Sequence, residues 1–194
     1  LKKHMIFADS VRLGGDHITG DISQGLQIDF DTAERIKTFY GGVMATGMDD
    51  RELIDLQSNT GDWEHDSRKV SRTEIIGIVR PRAEEILEEV RDRLDAAGFD
   101  HLPSQRIVLT GGASQLAGLD GLASKILGQQ VRLGRPLRVH GLPQSVSGPT
   151  FSSLVGLALF AAHPQDELWD FDLPKRSYPA RSIRRTTKWF KENW

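Results

Sequence analysis

Two short stretches of this 194-residue chain combine residue types that can hold a polar ligand. The first is Ile107-Val108-Leu109-Thr110-Gly111-Gly112-Ala113-Ser114, a β-branched apolar run that ends on paired glycines. Glycines at the carboxyl end of a strand let the backbone approach a flat or anionic group that a Cβ would exclude. A helix start just beyond adds unpaired N–H groups, and open α/β sheets collect ligands at such ends. A tight structural turn would have the same composition. The second stretch holds Glu34 and Lys37, three apart and so on one helix face, where together they can grip hydroxyls such as those of a ribose. The plainer alternative is that Glu34 caps the helix and Lys37 is solvated.

Other chemistries lack their residues. No phosphate loop of the G-x-x-x-x-G-K-[ST] type, no G-x-G-x-x-G and no G-x-S-x-G is present. The six histidines (His4, His17, His65, His101, His140, His163) are scattered without ligand spacing, which leaves surface or capping roles. There is no cysteine, so thiolate ligands, disulfides and thiol nucleophiles are excluded. No metal site and no catalytic residue are expected.

A third constellation closes the chain. On a helical wheel Ile183, Thr187, Phe190 and Trp194 fall in one narrow sector. Arg181, Arg184, Arg185, Lys188 and Lys191 gather opposite, with Trp189 at the boundary. That is the pattern of a helix lying in a bilayer surface. Burying the three largest apolar side chains offers roughly 1.5–3 kcal/mol each. Each cation near an anionic leaflet adds about 1 kcal/mol. Ordering fourteen residues takes much of this back, so one copy anchors weakly and many copies anchor well. A nucleic-acid tail or a helix docked in a partner groove are the rival readings. The aromatic groups on the apolar side favour lipid, and no nucleic-acid partner is expected.

The elements that must position these residues can be read from periodicity. His4 to Leu13 has the apolar content of a strand, and Gly14-Gly15 leads into a short helix over Asp16 to Leu26. Asp31 to Tyr40 is a helix in which Asp31 caps, Glu34 completes a capping box, and Gly41-Gly42 terminates. Residues 47–69 read as turns and weak strands. Thr73 to Ala97 is the clearest helix, capped by Ser71 with Glu74, kinked or restarted at Pro81 and stopped by Gly98. Its apolar face is placed at Ala83, Ile86, Leu87, Val90, Leu94 and Ala97. Arg106 to Thr110 reads as a buried-type strand, Leu116 to Leu127 as a helix and Val131 to Leu133 as a strand. Thr150 to Ala162 reads as a helix packed closely against a sheet. Strand–helix alternation in this last part suggests an α/β layer with a mixed sheet.

Apolar residues make up 38% of the chain, enough for a core, and charged residues 27%. No basic segment followed by an apolar run opens the chain, and nothing approaches the length of a membrane-spanning helix. The net charge of −2 conceals an uneven distribution. Lys175 to Trp194 carries seven Lys or Arg and one Glu, whereas His163 to Pro174 holds four acids. With Pro164, Pro174 and Pro179, residues 163–180 read as a flexible linker before the terminal helix.

Several motifs in order resemble the FtsA family of cell division proteins. They are Val11 to Ile22 (VRLGGDHITGDI), Ala33 to Gly41, the Pro81 to Leu87 helix, and Ile107 to Gly112. Gln115 to Leu119, Val131 to Pro136 and Val155 to Leu157 follow in the right order. The resemblance covers nearly all of this chain but only the C-terminal half of that family, whose phosphate loops would precede Leu1. It implies an actin-like (ribonuclease H-like) second lobe of α/β class. Residues 1–28 and 85–162 would form subdomain 2A and residues 29–84 an inserted α+β subdomain 2B. The 163–180 linker and the 181–194 amphipathic membrane-targeting helix would follow.

By the same resemblance, Gly111 and Gly112 match adenosine-motif glycines, and Glu34 and Lys37 the pair reaching ribose and base of ATP, with Mg present in the intact protein. No ATP hydrolysis is expected from this half alone. The implied function is an adaptor, peripheral on the cytoplasmic side of the bacterial membrane at the division site. It would tether FtsZ polymers, self-associate into filaments and bind an anionic surface through Ile183, Arg184, Arg185, Lys188, Trp189, Phe190, Lys191 and Trp194. The FtsZ C-terminal tail would dock on the inserted subdomain, with Arg68, Lys69, Arg72 and Arg82 as candidate contacts for its acidic residues. The alternative is the nucleotide-binding lobe of an actin-like ATPase or kinase whose basic tail serves another partner.

Overall fold

The computed structural model describes residues 7–56, 68–99, 106–136 and 141–162, and residues 9–162 form one compact unit. Gly14 starts the first helix, α1 (Gly15–Leu26), and its N–H donates to His17 Nδ1 at 3.2 Å, so His17 is a capping histidine. The stripe Ile18, Ile22 and Leu26 faces the core, with Thr19 buried beside it. Helix α2 (Phe30–Tyr40) is capped by Asp29, not Asp31, because Asp29 Oδ1 accepts the Thr32 N–H at 2.8 Å. Asp31 lies one position inside the helix, and Glu34 turns to other partners. A minimal antiparallel pair follows, β1 (Leu53–Asp55) with β2 (Lys69–Ser71), in register Ile54 opposite Val70, both buried.

The long helix α3 (Arg72–Ala96) begins where Ser71 Oγ accepts the Glu74 N–H. It runs unbroken through Pro81, so that proline neither ends nor restarts it. Its buried face is Ile75, Ile76, Val79, Ala83 and Leu87. Val90 and Leu94 are only half-buried and Ala97 is exposed, so the packed part lies one to two turns nearer the N-terminus than periodicity placed it. A Schellman motif ends α3: Gly98 N–H bonds Asp95 O and Phe99 N–H bonds Leu94 O, with Gly98 at φ 81°.

Strand β3 (Arg106–Leu109) pairs in parallel with β4 (Gln130–Leu133), and α4 (Leu119–Leu127) forms the crossover between them. The last described element is α5 (Ser152–Ala162).

Three further expectations differ from the structure. Phe7 to Leu13 is not a strand, and among the described residues no strand pairs with it. Asp9 bonds the neighbouring Ser10 N–H and reaches Arg93 of α3 instead. Strand β3 is not buried on both faces, since Val108 is 44% exposed. Helix α5 buries only Val155 and leaves Leu154, Leu157, Leu159 and Phe160 exposed, so it is not packed closely on a sheet.

Candidate functional site

Two of the stretches singled out in the sequence meet near the N-terminus of α1. A backbone bridge joins them: Gly42 pairs with Ala117, and Val43 N–H donates to Ala117 O at 2.9 Å. Only glycine fits at 41, because a Cβ there would lie 2.3 Å from Lys37 O and 2.9 Å from Leu116 Cδ2. The end of α2 is thus laid directly on the segment that follows Gly111-Gly112. At the other side, a Cβ on Gly15 would sit 3.4 Å from Lys37 Nζ and 3.7 Å from Ala113 Cβ. Gly15, Lys37 and the glycine loop therefore converge on one place.

The glycine loop is held rigidly from behind. Gly111 has φ 90° and ψ 172°, a region open essentially only to glycine. Its N–H bonds Pro149 O at 3.1 Å, and Ser114 Oγ donates to Gly111 O at 2.7 Å. Thr110 Oγ1 bonds Gly134 O and Ser152 Oγ, and Gln115 Nε2 donates to Thr150 Oγ1. A Cβ at Gly111 would meet nothing within 4 Å, and one at Gly112 only Thr150 Cγ2 at 4.0 Å. An added Cβ thus has open space at Gly111 and an ordinary contact at Gly112.

Glu34 and Lys37 do share a face of α2, but neither is a plain surface residue. Lys37 Nζ is buried and bonds Gly15 O at 3.2 Å, Thr19 Oγ1 at 2.8 Å and Glu34 Oε2 at 2.5 Å. Thr19 Oγ1 lies 2.5 Å from the same carboxylate oxygen. Burial would raise the Glu34 pKa, but the hydrogen bonds from Lys37 and Thr19, with the Lys37 charge, outweigh it and hold the carboxyl below its ordinary range. The carboxylate stays ionised and half-exposed, an acceptor suited to hydroxyl groups. Thr19 was not apparent from the sequence. Its one signal is an alcohol a single helical turn after Gly15, beside the Ile18–Ile22–Leu26 stripe.

The four basic residues proposed for an acidic peptide do not form one free face. Arg82 forms a bidentate pair with Asp21 at 2.6 and 3.0 Å and also bonds Glu85, clamping α3 to α1. Arg72 bonds Tyr40 O and Glu52 and lies 3.6 Å from Asp49. The Thr46 N–H and hydroxyl, aided by Arg72 and against burial, hold the Asp49 carboxyl below its usual range. Arg68 and Lys69 instead line a groove of about 320 Å³ between the end of α1 and β2, with Leu26, Gln27, Leu56 and Glu74. The linker and the tail residues Ile183, Arg184, Arg185, Lys188, Trp189, Phe190, Lys191 and Trp194 lie outside the described residues. Among the described residues no helix is long and apolar enough to cross a membrane, and no group of His, Asp or Glu can hold a metal ion.

The family model described as cell division protein FtsA matches residues 1–156. The chain belongs to the FtsA family. Cell division protein FtsA of Rhizobium meliloti is 44% identical over 156 residues, covering 80% of this chain and 35% of that protein. The Pseudomonas aeruginosa FtsA is 32% identical over 189 residues, covering 95% of this chain and 45% of its own length. The chain therefore spans less than half the length of these FtsA relatives. Among solved structures, MreB5 of Spiroplasma citri bound to ADP superposes with a TM-score of 0.57 at 18% identity, covering 79% of this chain and 46% of that one. The fold is actin-like.

Proposed function

We propose that this chain is the second lobe and membrane-attachment region of an FtsA-type adaptor, which ties FtsZ polymers to the cytoplasmic face of the bacterial membrane at the division site. The FtsA family match over residues 1–156 carries this reading. Gly111 and Gly112 would flank the adenosine of ATP, and the Glu34–Lys37 pair would face its ribose edge. The open space over Gly111 and the ionised Glu34 carboxylate support that placement. The nucleotide, with its Mg²⁺, would supply a charged ligand joining this lobe to a phosphate-binding one. This lobe's own residues bind and orient the adenosine, and no hydrolysis is expected from them alone. The bound protein would self-associate into filaments, and many tails in one filament would turn weak single anchors into firm attachment.

Arg68 and Lys69, at the groove beside β2, are better placed for acidic residues of an FtsZ tail than Arg72 and Arg82, whose guanidinium groups are engaged within the protein. The terminal residues are the direct test of the adaptor. Replacing Phe190→Glu together with Trp194→Glu should abolish co-sedimentation with anionic liposomes. Undiminished co-sedimentation would remove the membrane-anchor reading and leave the basic tail to another partner.

A further inference from the structure

We infer that the outer face of β3 and β4 is a second contact with an anionic lipid surface, made by the folded lobe through Arg106, Arg132 and Arg135 and distinct from the terminal residues. This rests on the membrane reading above for the kind of surface, but on different residues. Side chains of a strand alternate between the two faces of its sheet. The register sets Arg106 opposite Gln130 and Val108 opposite Arg132, so these four share one face. Leu109 and Val131 take the other face and pack against the core. The Gly134 N–H extends the ladder to Leu109 O at 2.7 Å, and Arg135 follows directly. All three arginines are exposed.

Their lack of partners sets them apart. The arginines of α3, Arg72, Arg80, Arg82, Arg91 and Arg93, each pair with a carboxylate. Among the described residues Arg106, Arg132 and Arg135 pair with none. The surrounding sequence supplies no counter-charge either. Residues 101–162 hold five Lys or Arg and a single acid, Asp120, whereas residues 1–100 hold thirteen Lys or Arg and twenty-one Asp or Glu. Cations gathered in one part of a chain whose remainder is acidic create a local positive field, and that field draws an anionic partner to this face. Arg106 and Arg132 stand two positions apart on adjacent strands, with the half-exposed Val108 beside them, so the charge is spread over a face. A bilayer surface suits such a face, because it asks for cations and apolar side chains on one side and for no groove. Two weak contacts on one molecule then reinforce each other.

The test measures co-sedimentation of the full-length protein with vesicles of phosphatidylcholine alone and of phosphatidylcholine mixed with phosphatidylglycerol. Each cation near an anionic leaflet is worth about fivefold in affinity. Replacing Arg106→Ser, Arg132→Ser and Arg135→Ser together should therefore weaken binding to the mixed vesicles by roughly tenfold or more and flatten its salt dependence. Binding to phosphatidylcholine alone should not change. The corresponding triple lysine variant keeps the charge and loses the planar fork, and should bind as the wild type does. Arg80→Ser with Arg91→Ser removes charge from paired arginines and should leave the affinity unaltered. The substituted side chains are exposed, and melting temperatures verify that every variant is folded. Wild-type binding by the serine variant overturns the inference and leaves the terminal residues as the anchor. An equal loss in the lysine variant also overturns it, because a shaped site for one anionic group is then at work. So does an equal loss in the Arg80 and Arg91 variant, which would make net charge the whole cause. If the serine variant loses affinity for soluble poly-glutamate but not for mixed vesicles, the partner is an acidic protein and the lipid inference falls. If Phe190→Glu with Trp194→Glu binds as the wild type does while the serine variant does not, the terminal anchor fails and this face stands.

Discussion

Substituting the two loop glycines one at a time separates backbone strain from ligand access. At Gly111, φ 90° and ψ 172° are closed to residues with a Cβ, and holding such a residue there costs about 1–3 kcal/mol. No heavy atom lies within 4 Å of an added Cβ, so no steric clash adds to that cost. A domain of this size loses roughly 2–4 °C of melting temperature per kcal/mol, so Gly111→Ala should melt roughly 2–12 °C lower. At Gly112 the backbone lies outside the left-handed region, and the added methyl would be 4.0 Å from Thr150 Cγ2, an ordinary contact. Gly112→Ala should therefore change stability by less than about 0.5 kcal/mol. Yet both methyls would stand on the loop backbone against which the adenosine is proposed to lie. Nucleotide affinity in the full-length protein should fall for both, whereas thermal stability falls only for Gly111→Ala. Calorimetry and titration with a fluorescent ATP analogue read the two effects independently. Wild-type melting of Gly111→Ala would refute the strain argument. Wild-type affinity of Gly112→Ala would show that the ligand does not lie against this loop.

The Arg82–Asp21 clamp should show a coupling of about 1 kcal/mol in a double-mutant cycle with Arg82→Met and Asp21→Asn, modest because both groups are about a quarter exposed. Urea unfolding measures it, and a coupling near zero would contradict a structural role for Arg82. Glu34 and Asp49 have folded-state pKa values below their unfolded ones, so the unfolded chain binds more protons in that range. Their contribution is present above the ordinary carboxylate range near 4, is lost as pH falls through the folded values, and should shrink in acid melts of Glu34→Gln. The exposed apolar side chains Leu154, Leu157 and Phe160 of α5 should make the 194-residue chain bind an apolar dye such as ANS, and Leu157→Lys should reduce that signal. An unchanged signal would mean that this face is covered.

Local rules carried most of the architecture. Helices α1, α2 and α3 and the β3–α4–β4 unit were legible because each pairs a periodic apolar stripe with a cap or a glycine stop. Where the reading failed, a non-local partner decided. Asp29 and Asp31 both satisfy the rule for a helix cap, and the choice turns on Glu34. That residue would have completed a box with Asp31 but bonds Lys37 of its own helix and Thr19 of α1. The apolar content of residues 4–13 suits a strand, yet a strand needs a neighbour to bond. Among the described residues no strand pairs with Ala8 to Leu13. At the site, the glycine loop and the Glu34–Lys37 pair were each legible alone. Their convergence was not, because it depends on the Gly42–Ala117 bridge, between positions 75 residues apart in sequence.

The two halves of the described structure differ in how far they complete themselves. The polar cluster of α1 and α2 satisfies its own donors: the Lys37 ammonium has three acceptors and Thr19 two contacts besides its lysine. The glycine loop is likewise braced by bonds to Pro149, Gly134 and Ser152. A site preorganised in this way needs no further contact to hold its shape. The layer beneath it is different. Parallel sheets are found with both faces covered, and helices apolar on every side are found in interiors. Here β3 and β4 leave Val108 and Leu133 nearly half exposed, and α5 buries only Val155. Burial of that layer is thus specified by the pattern of α5 but not supplied by the described residues. The polar cluster is thus complete in its hydrogen bonds, whereas the apolar layer of β3, β4 and α5 is not covered by the described residues. Covering Leu154 and Leu157 of α5 would remove apolar surface from water and so stabilise the lobe.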